Sequence, residues 1–320
     1  MVKLNVTQAA FSGFGVIGRN PVAVLVWALF VGLIGVLPMV GLMGGFVTSV
    51  VRIAMADQHG VEPTPEMIMP MLGALFALLP VMMLTGLIVR TVLAGAIFRA
   101  VLQPRDKGWF YLRLGARELW LALLFLVVGI LAFFVCMIVM VMVVPMIMLG
   151  VASDDPMVRL GLMRLAMLPV YAVMIFLFIR FSMAFPMTFA ESRFRLFESW
   201  ALTRGNGWRL FLMLLLLTAI AVAVEMVIGV MVVVGVISVI GVGAMSGDWS
   251  EERITAFFNQ DPSIWMSGVL PWVAGIVVVA CIVGTVFTVI FTAPLAEAYR
   301  QLSAKVPPTD AEPASAALAA

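Results

Sequence analysis

The chain has 320 residues, of which 64% are hydrophobic and only 11% charged, with a formal net charge of +2 and a mean hydropathy of +1.17. So few charges cannot cover a soluble domain of this length. The apolar runs are continuous, which excludes a barrel, whose strands alternate apolar and polar residues over about ten positions. An α-helix satisfies its own amides in hydrocarbon, so the fold class is all-α, a polytopic transmembrane helical bundle of about six spans.

In chain order, residues 1–20 form an N-terminal interfacial segment. Residues 1–18 lack a charged stretch followed by a compact apolar core and a small-residue cleavage site, so the first span is expected to act as its own insertion signal. Spans follow over about 21–51, 67–102, 119–150, 160–189, 210–242 and 269–299, within a membrane domain of 21–305. Pro21 opens the first helix, where an amide is unpartnered anyway, and the second stops before Pro104. At about 1.5 Å per residue, thirty residues overfill a hydrocarbon core of about 30 Å. Such spans tilt, kink or project, and Pro80, Pro145, Pro169 and Pro271 are the candidate kinks. The loop over 246–265 has room for one short helix, capped by Ser250 with Glu251 and Glu252 in its first turn. Residues 306–320 read as a disordered Pro- and Ala-rich tail.

Six spans place both termini and the second and fourth loops on one side. That side carries thirteen Lys and Arg residues, among them Arg19, Arg99, Arg113, Arg117, Arg204, Arg209 and Arg300. The other side carries four, Arg52, Arg159, Arg164 and Arg253, beside acids such as Asp57, Glu66, Asp155 and Asp261. The bias predicts cytoplasmic N- and C-termini.

The spans also pair. Residues 11–20 and 197–206 match, with Phe11 on Phe197, Phe14 on Trp200, Val16 on Leu202 and Asn20 on Asn206. A more divergent middle copy, 110–120, keeps an aromatic start with Arg113, Arg117 and Trp120. The returning spans end alike, at Phe98-Arg99, Glu191-Ser192-Arg193 and Tyr299-Arg300. Together these predict three parallel two-helix repeats, about 21–103, 110–193 and 197–303. The stretch from Phe197 to Phe211, with Trp200, Arg204, Gly205-Asn206-Gly207 and Trp208-Arg209, resembles the glycerophosphoryl diester phosphodiesterase membrane-domain family and related six-span bacterial proteins. The resemblance implies a bacterial inner-membrane bundle. The chain has no room for the catalytic domain fused to some members, so hydrolysis does not carry over.

Two groups of residues are candidates for function. On one helical face, Phe197, Trp200, Ala201 and Arg204 align, as do Phe11, Phe14 and Ile17. With Arg19, Arg113, Arg117, Trp208 and Arg209 they predict a cytoplasmic Arg/Trp collar. Such a collar either anchors the spans at the interface or meets anionic lipid headgroups or another membrane protein. Within the spans lie Arg90, Arg180 and Glu225, costly groups in hydrocarbon. They form either a polar pocket for an anionic lipid or proton movement, with Thr285 and Thr288 of the sixth span supplying hydroxyls, or one structural Arg–Glu pair beside a snorkelling Arg.

Cys136 and Cys281 read as small buried hydrophobes, and His59 has no ligand-type neighbours. The 25 methionines fall in general apolar runs and read as helix-contact filler rather than a copper path. Gly13-x-Gly15-x-x-Gly18 follows no strand, so it is no dinucleotide site. Gly44-Gly45 and Gly241-Val242-Gly243 are expected to permit close helix packing. No catalytic, cofactor or metal constellation is visible, and no nucleic-acid partner is expected. The leading expectation is a non-enzymatic scaffold or lipid-interacting bundle, and the alternative is a small transporter or channel using Arg90, Arg180 and Glu225.

Overall fold

A computed structural model describes residues 4–58, 62, 64–106, 108–152, 155–240 and 262–303, and among them there is no strand. The helices are α1 (Val6–Ala10), α2 (Ser12–Arg19), α3 (Pro21–Phe30), a π-helical segment (Val31–Val36) running into α4 (Leu37–Gln58), and α5 (Pro65–Leu102). A 3-10 turn (Gly108–Tyr111) then precedes α6 (Ala116–Val151), α7 (Pro156–Phe181), α8 (Ala184–Glu191), α9 (Glu198–Thr203), α10 (Gly207–Ile240) and α11 (Pro262–Ser303). Among the described residues six stretches are long and apolar enough to cross a membrane: Pro21–Val50, Pro65–Leu102, Gly108–Leu149, Pro156–Glu191, Gly207–Met226 and Ala274–Ser303. The expected all-α bundle of six spans is what the chain forms.

Local chemistry sets the helix starts. Asn5 accepts an amide hydrogen bond from Gln8 at 3.2 Å and opens α1, and Asp155 accepts one from Met157 at 2.8 Å and opens α7. Proline occupies the first turn of α3, α5 and α7, where no intrahelical donor is lost. Asn20 and Asn206 each sit just before a span. The Asn20 carbonyl accepts from the Val24 amide at 3.2 Å, and the Asn206 carbonyl accepts from the Leu210 amide at 3.0 Å.

Several expectations change. Helix α9 stops at Thr203: Arg204 turns to an extended backbone and Gly205 takes φ 85°, so Arg204 leaves the face shared by Phe197, Trp200 and Ala201. The middle lead-in segment is not a helix at its start, because Trp109, Phe110 and Tyr111 all have positive φ. Helices α5, α6 and α7 stay helical through Pro80, Pro145 and Pro169, and α11 through Pro271. Irregular turns lie in the π-helical segment, with Gly32 and Gly35, and between α7 and α8. A β-carbon at Gly44 or Gly45 would meet nothing within 4 Å, so that pair does not mediate packing. The close approach is at Gly13, where a β-carbon would lie 2.8 Å from the Ile290 α-carbon. His59, the 246–261 part of the expected loop helix, Gly241-Val242-Gly243 and the 306–320 tail lie outside the described residues.

Burial is concentrated toward one end of the bundle. Helix α11 runs through that end and touches α1, α2, α3, α5, α8 and α10. Val16, Trp27, Ile97, Phe98, Phe189 and Val289 are fully or almost fully buried there. Helix α4 packs on α5 and α6 on α7 as hairpins. Away from the packed end, large residues such as Phe76, Leu79, Met83, Val141 and Met142 are exposed, as lipid-facing positions are.

Candidate functional site

Helices α5, α6, α7, α8 and α11 line a half-open cavity of about 380 Å³. Its wall is apolar and aromatic, with Phe125, Phe178, Phe181 and Phe291, and Arg90 is the one charged residue in it. Arg90 has no hydrogen-bond or ion-pair partner among the described residues. Thr288 also lines the cavity and donates its hydroxyl to the Gly284 carbonyl at 2.8 Å, which leaves oxygen lone pairs free to accept. Thr285, one turn away, is fully buried and its hydroxyl has no partner among the described residues.

Phe98 and Phe185 form one limit of the cavity. Phe98 meets Phe189 at 5.8 Å between ring centroids, and Phe185 meets Phe125 at 4.7 Å. Behind Phe189 the chemistry becomes polar. The Arg99 and Arg117 guanidiniums lie 5.5 Å and 5.6 Å from the Phe189 ring centroid. Arg99 donates to a Glu118 carboxylate oxygen and to the Tyr111 carbonyl, and both members of this pair are buried. Gly95 makes room for it: a β-carbon there would sit 3.0 Å from Glu118 Oε1. Arg117 donates to Ser192 Oγ at 3.1 Å and to Gln103 Oε1 at 2.8 Å. Ser192 reaches it because φ 55° at this position ends α8 in a left-handed turn. A second, open cavity of about 420 Å³ lies here, with Arg99, Gln103, Arg113, Arg117, Glu118 and Ser192 in its wall.

The three intramembrane charges take different surroundings. Arg90 faces the apolar cavity. The Arg180 guanidinium lies 4.8 Å from the Trp200 ring centroid and 5.4 Å from that of Phe176, and Ser199 donates to the Arg180 carbonyl at 2.7 Å. These contacts tie α9 to the end of α7 and occupy Arg180. Glu225 is exposed on α10, with no ion pair to Arg90 or Arg180.

The collar residues gather at the packed end. Arg19 donates to the Gly15 carbonyl at 3.0 Å, and Arg113 pairs with Asp106 at 2.8 Å. Arg209 donates to the Leu4 carbonyl at 3.2 Å and so joins the N-terminal segment to α10. Trp208 stacks on Phe211 at 5.2 Å and stays exposed, and Arg204 is exposed beside it in sequence. Arg195 pairs with Glu198 and Glu191, and the Glu198 hydrogen bond first, then the Glu191 charge, raise the pKa of its guanidinium above the usual value. Trp109 projects furthest, at 86% exposure.

The family described as Domain of unknown function (DUF7847) matches residues 4–302. The chain belongs to that family. Membership runs from before α1 nearly to the end of α11, so both cavities lie within the family domain. No match supports the glycerophosphoryl diester phosphodiesterase membrane-domain resemblance. No curated protein and no solved structure matches the chain.

Sequence reasoning missed Glu118 and treated Arg99 as a surface charge. The signal was local: Ala94-Gly95-Ala96 clears space one turn before Arg99, and Glu118 opens α6 beside Gly115. Among the described residues no group of three or more His, Cys, Asp and Glu is placed to hold a metal ion.

Proposed function

We propose that this membrane protein is a non-enzymatic, lipid-interacting bundle whose cavity holds an anionic amphiphile, with its head on Arg90 and its acyl chain against the phenylalanines. The observation that carries the reading is Arg90, without an ionic partner among the described residues, in a wall whose only other polar residues are Thr288 and Thr292. A charged side chain held in hydrocarbon costs roughly 2.5–3.5 kcal/mol or more, and a bound anion offsets that cost. The cavity, about 380 Å³, falls at the lower end of small-molecule sites, which favours a single-chain lipid over a two-chain one.

The setting we assign is the bacterial inner membrane, with both termini cytoplasmic and three two-helix repeats. The thirteen-to-four distribution of Lys and Arg supports the orientation. The shared Asn20 and Asn206 geometry supports the repeat. A reporter fused after Ala320 tests the orientation, and activity of a periplasm-only reporter there would reverse it.

The site is tested by native mass spectrometry of the detergent-extracted protein with added oleate. The wild type retains oleate, Arg90→Lys retains it in part and Arg90→Gln loses it. Equal retention by Arg90→Gln refutes the site.

The alternative, a small transporter or channel using Arg90, Arg180 and Glu225, draws support from the same cavity. It requires water to reach Arg90. Cysteines at Ala94 and Ala132, which line the cavity, would then react with a membrane-impermeant thiol reagent. Absence of labelling at both removes this reading.

A further inference from the structure

We infer that the second cavity, at the collar, is a binding site for the phosphate group of a membrane lipid, centred on Arg117 and separate from the Arg90 cavity. Three arginines and two carboxylates line it: Arg99, Arg113 and Arg117 against Asp106 and Glu118. Arg99 is neutralised by Glu118, and Arg113 by Asp106. Among the described residues, Arg117 pairs with no carboxylate. Its two hydrogen-bond acceptors, Ser192 Oγ and Gln103 Oε1, are neutral, so one positive charge is left over in the wall.

Those two hydrogen bonds fix the Arg117 guanidinium, and Phe189 packs against its face. A guanidinium fixed in this way loses little freedom on meeting an oxyanion, and planar bidentate contact with phosphate is its best geometry. The first turn of α6, from Ala116, lines the same cavity and adds the positive end of a 36-residue helix. A single uncompensated charge suits a phosphodiester, which carries one negative charge, better than a phosphomonoester.

The rim indicates that the phosphate belongs to a lipid. Leu114 lines the cavity and is 82% exposed, and Trp109 stands exposed five residues earlier on the left-handed turn. An exposed leucine in the wall of a basic hollow, with an exposed tryptophan on the turn leading to it, supplies the groups that insert between headgroups and acyl chains. A soluble phosphate ligand would need neither.

The test measures retention of phosphatidylglycerol by native mass spectrometry of the full chain in detergent. Dioleoylglycerol, which lacks the phosphate, is the control. The wild type retains phosphatidylglycerol and not dioleoylglycerol. Arg117→Gln, which removes the spare charge, weakens retention about tenfold, the effect of losing one charge-assisted contact. Because Arg117 also packs on Phe189, Leu114→Asp serves as a second variant. Its exposed position spares the fold, and its new charge at the rim repels the phosphate by a similar factor. Unchanged retention in Leu114→Asp, or equal retention of dioleoylglycerol, overturns the proposal. Displacement of the lipid by millimolar inorganic phosphate would assign the site to free phosphate and overturn the lipid reading. Arg90→Gln leaves phosphatidylglycerol retention intact, which separates this site from the oleate site. Loss of both ligands in Arg90→Gln would merge the two sites and overturn the inference.

Discussion

Arg99 and Glu118 form a buried ion pair that joins α5 to α6, and the same guanidinium donates to the Tyr111 carbonyl in the turn between them. One side chain thus ties both helices and the turn that connects one hairpin to the next. Removing one partner leaves the other charge buried, which costs about 3–5 kcal/mol. Glu118→Ala should sharply lower the midpoint of thermal unfolding in detergent. Arg99→Met combined with Glu118→Met should recover most of that loss, because no unpaired charge remains. A double variant as unstable as Glu118→Ala would show that the Tyr111 contact, rather than the ion pair, dominates.

Gly13 and Gly44 predict opposite responses. Gly13→Val drives side-chain atoms into the Ile290 backbone and parts α2 from α11, at a cost of about 1–3 kcal/mol. Gly44→Ala meets open space and gains up to about 1 kcal/mol of helix propensity. Thermal melts of the two variants side by side check the sign as well as the size.

The indole of Trp27 donates to the Phe110 carbonyl at 2.8 Å and packs edge-on to Tyr111 at 6.5 Å. This contact braces the left-handed run from Trp109 to Tyr111 against α3. Trp27→Phe keeps the packing and drops the donor, for a loss of about 1–3 kcal/mol. The freed turn should become accessible to trypsin at Arg105. Wild-type cleavage kinetics in that variant would show that the turn holds itself.

Trp200 covers Arg180, while Trp208 is largely free. Trp200→Leu should cost about 0.5–2 kcal/mol and loosen α9 from α7. Trp208→Leu should leave unfolding nearly unchanged and weaken only the interfacial anchor. Hydrogen exchange over 198–203 distinguishes the two, and fast exchange in both would mean that α9 is not held through Arg180.

The sequence made the membrane spans plain because continuous hydrophobicity is a one-dimensional signal. The Pro21 and Asn20 boundaries were legible for a similar reason, since they act within a few residues. Arg90 was found because a charge inside an apolar run stands out. Its surroundings were not, because the cavity depends on which faces of five helices meet. Glu118 was hidden by its position among Arg117, Gly115 and Trp120, where it reads as one more interfacial charge. Gly13 was weighed as part of a glycine fingerprint and set aside, yet its role is steric and depends on Ile290, far away in the chain. Arg204 was misplaced because the left-handed Gly205 turn cuts short a periodicity that the residue types alone would continue.

The uneven distribution of burial has a mechanical consequence. The collar end is the packed hub, while the outer halves of the α4–α5 and α6–α7 hairpins meet mainly acyl chains. Their spread is set by the host bilayer, whose thickness imposes a tilt on spans longer than its core. The Arg90 cavity lies between helices of both hairpins, so its wall is built from the spans on which bilayer thickness acts.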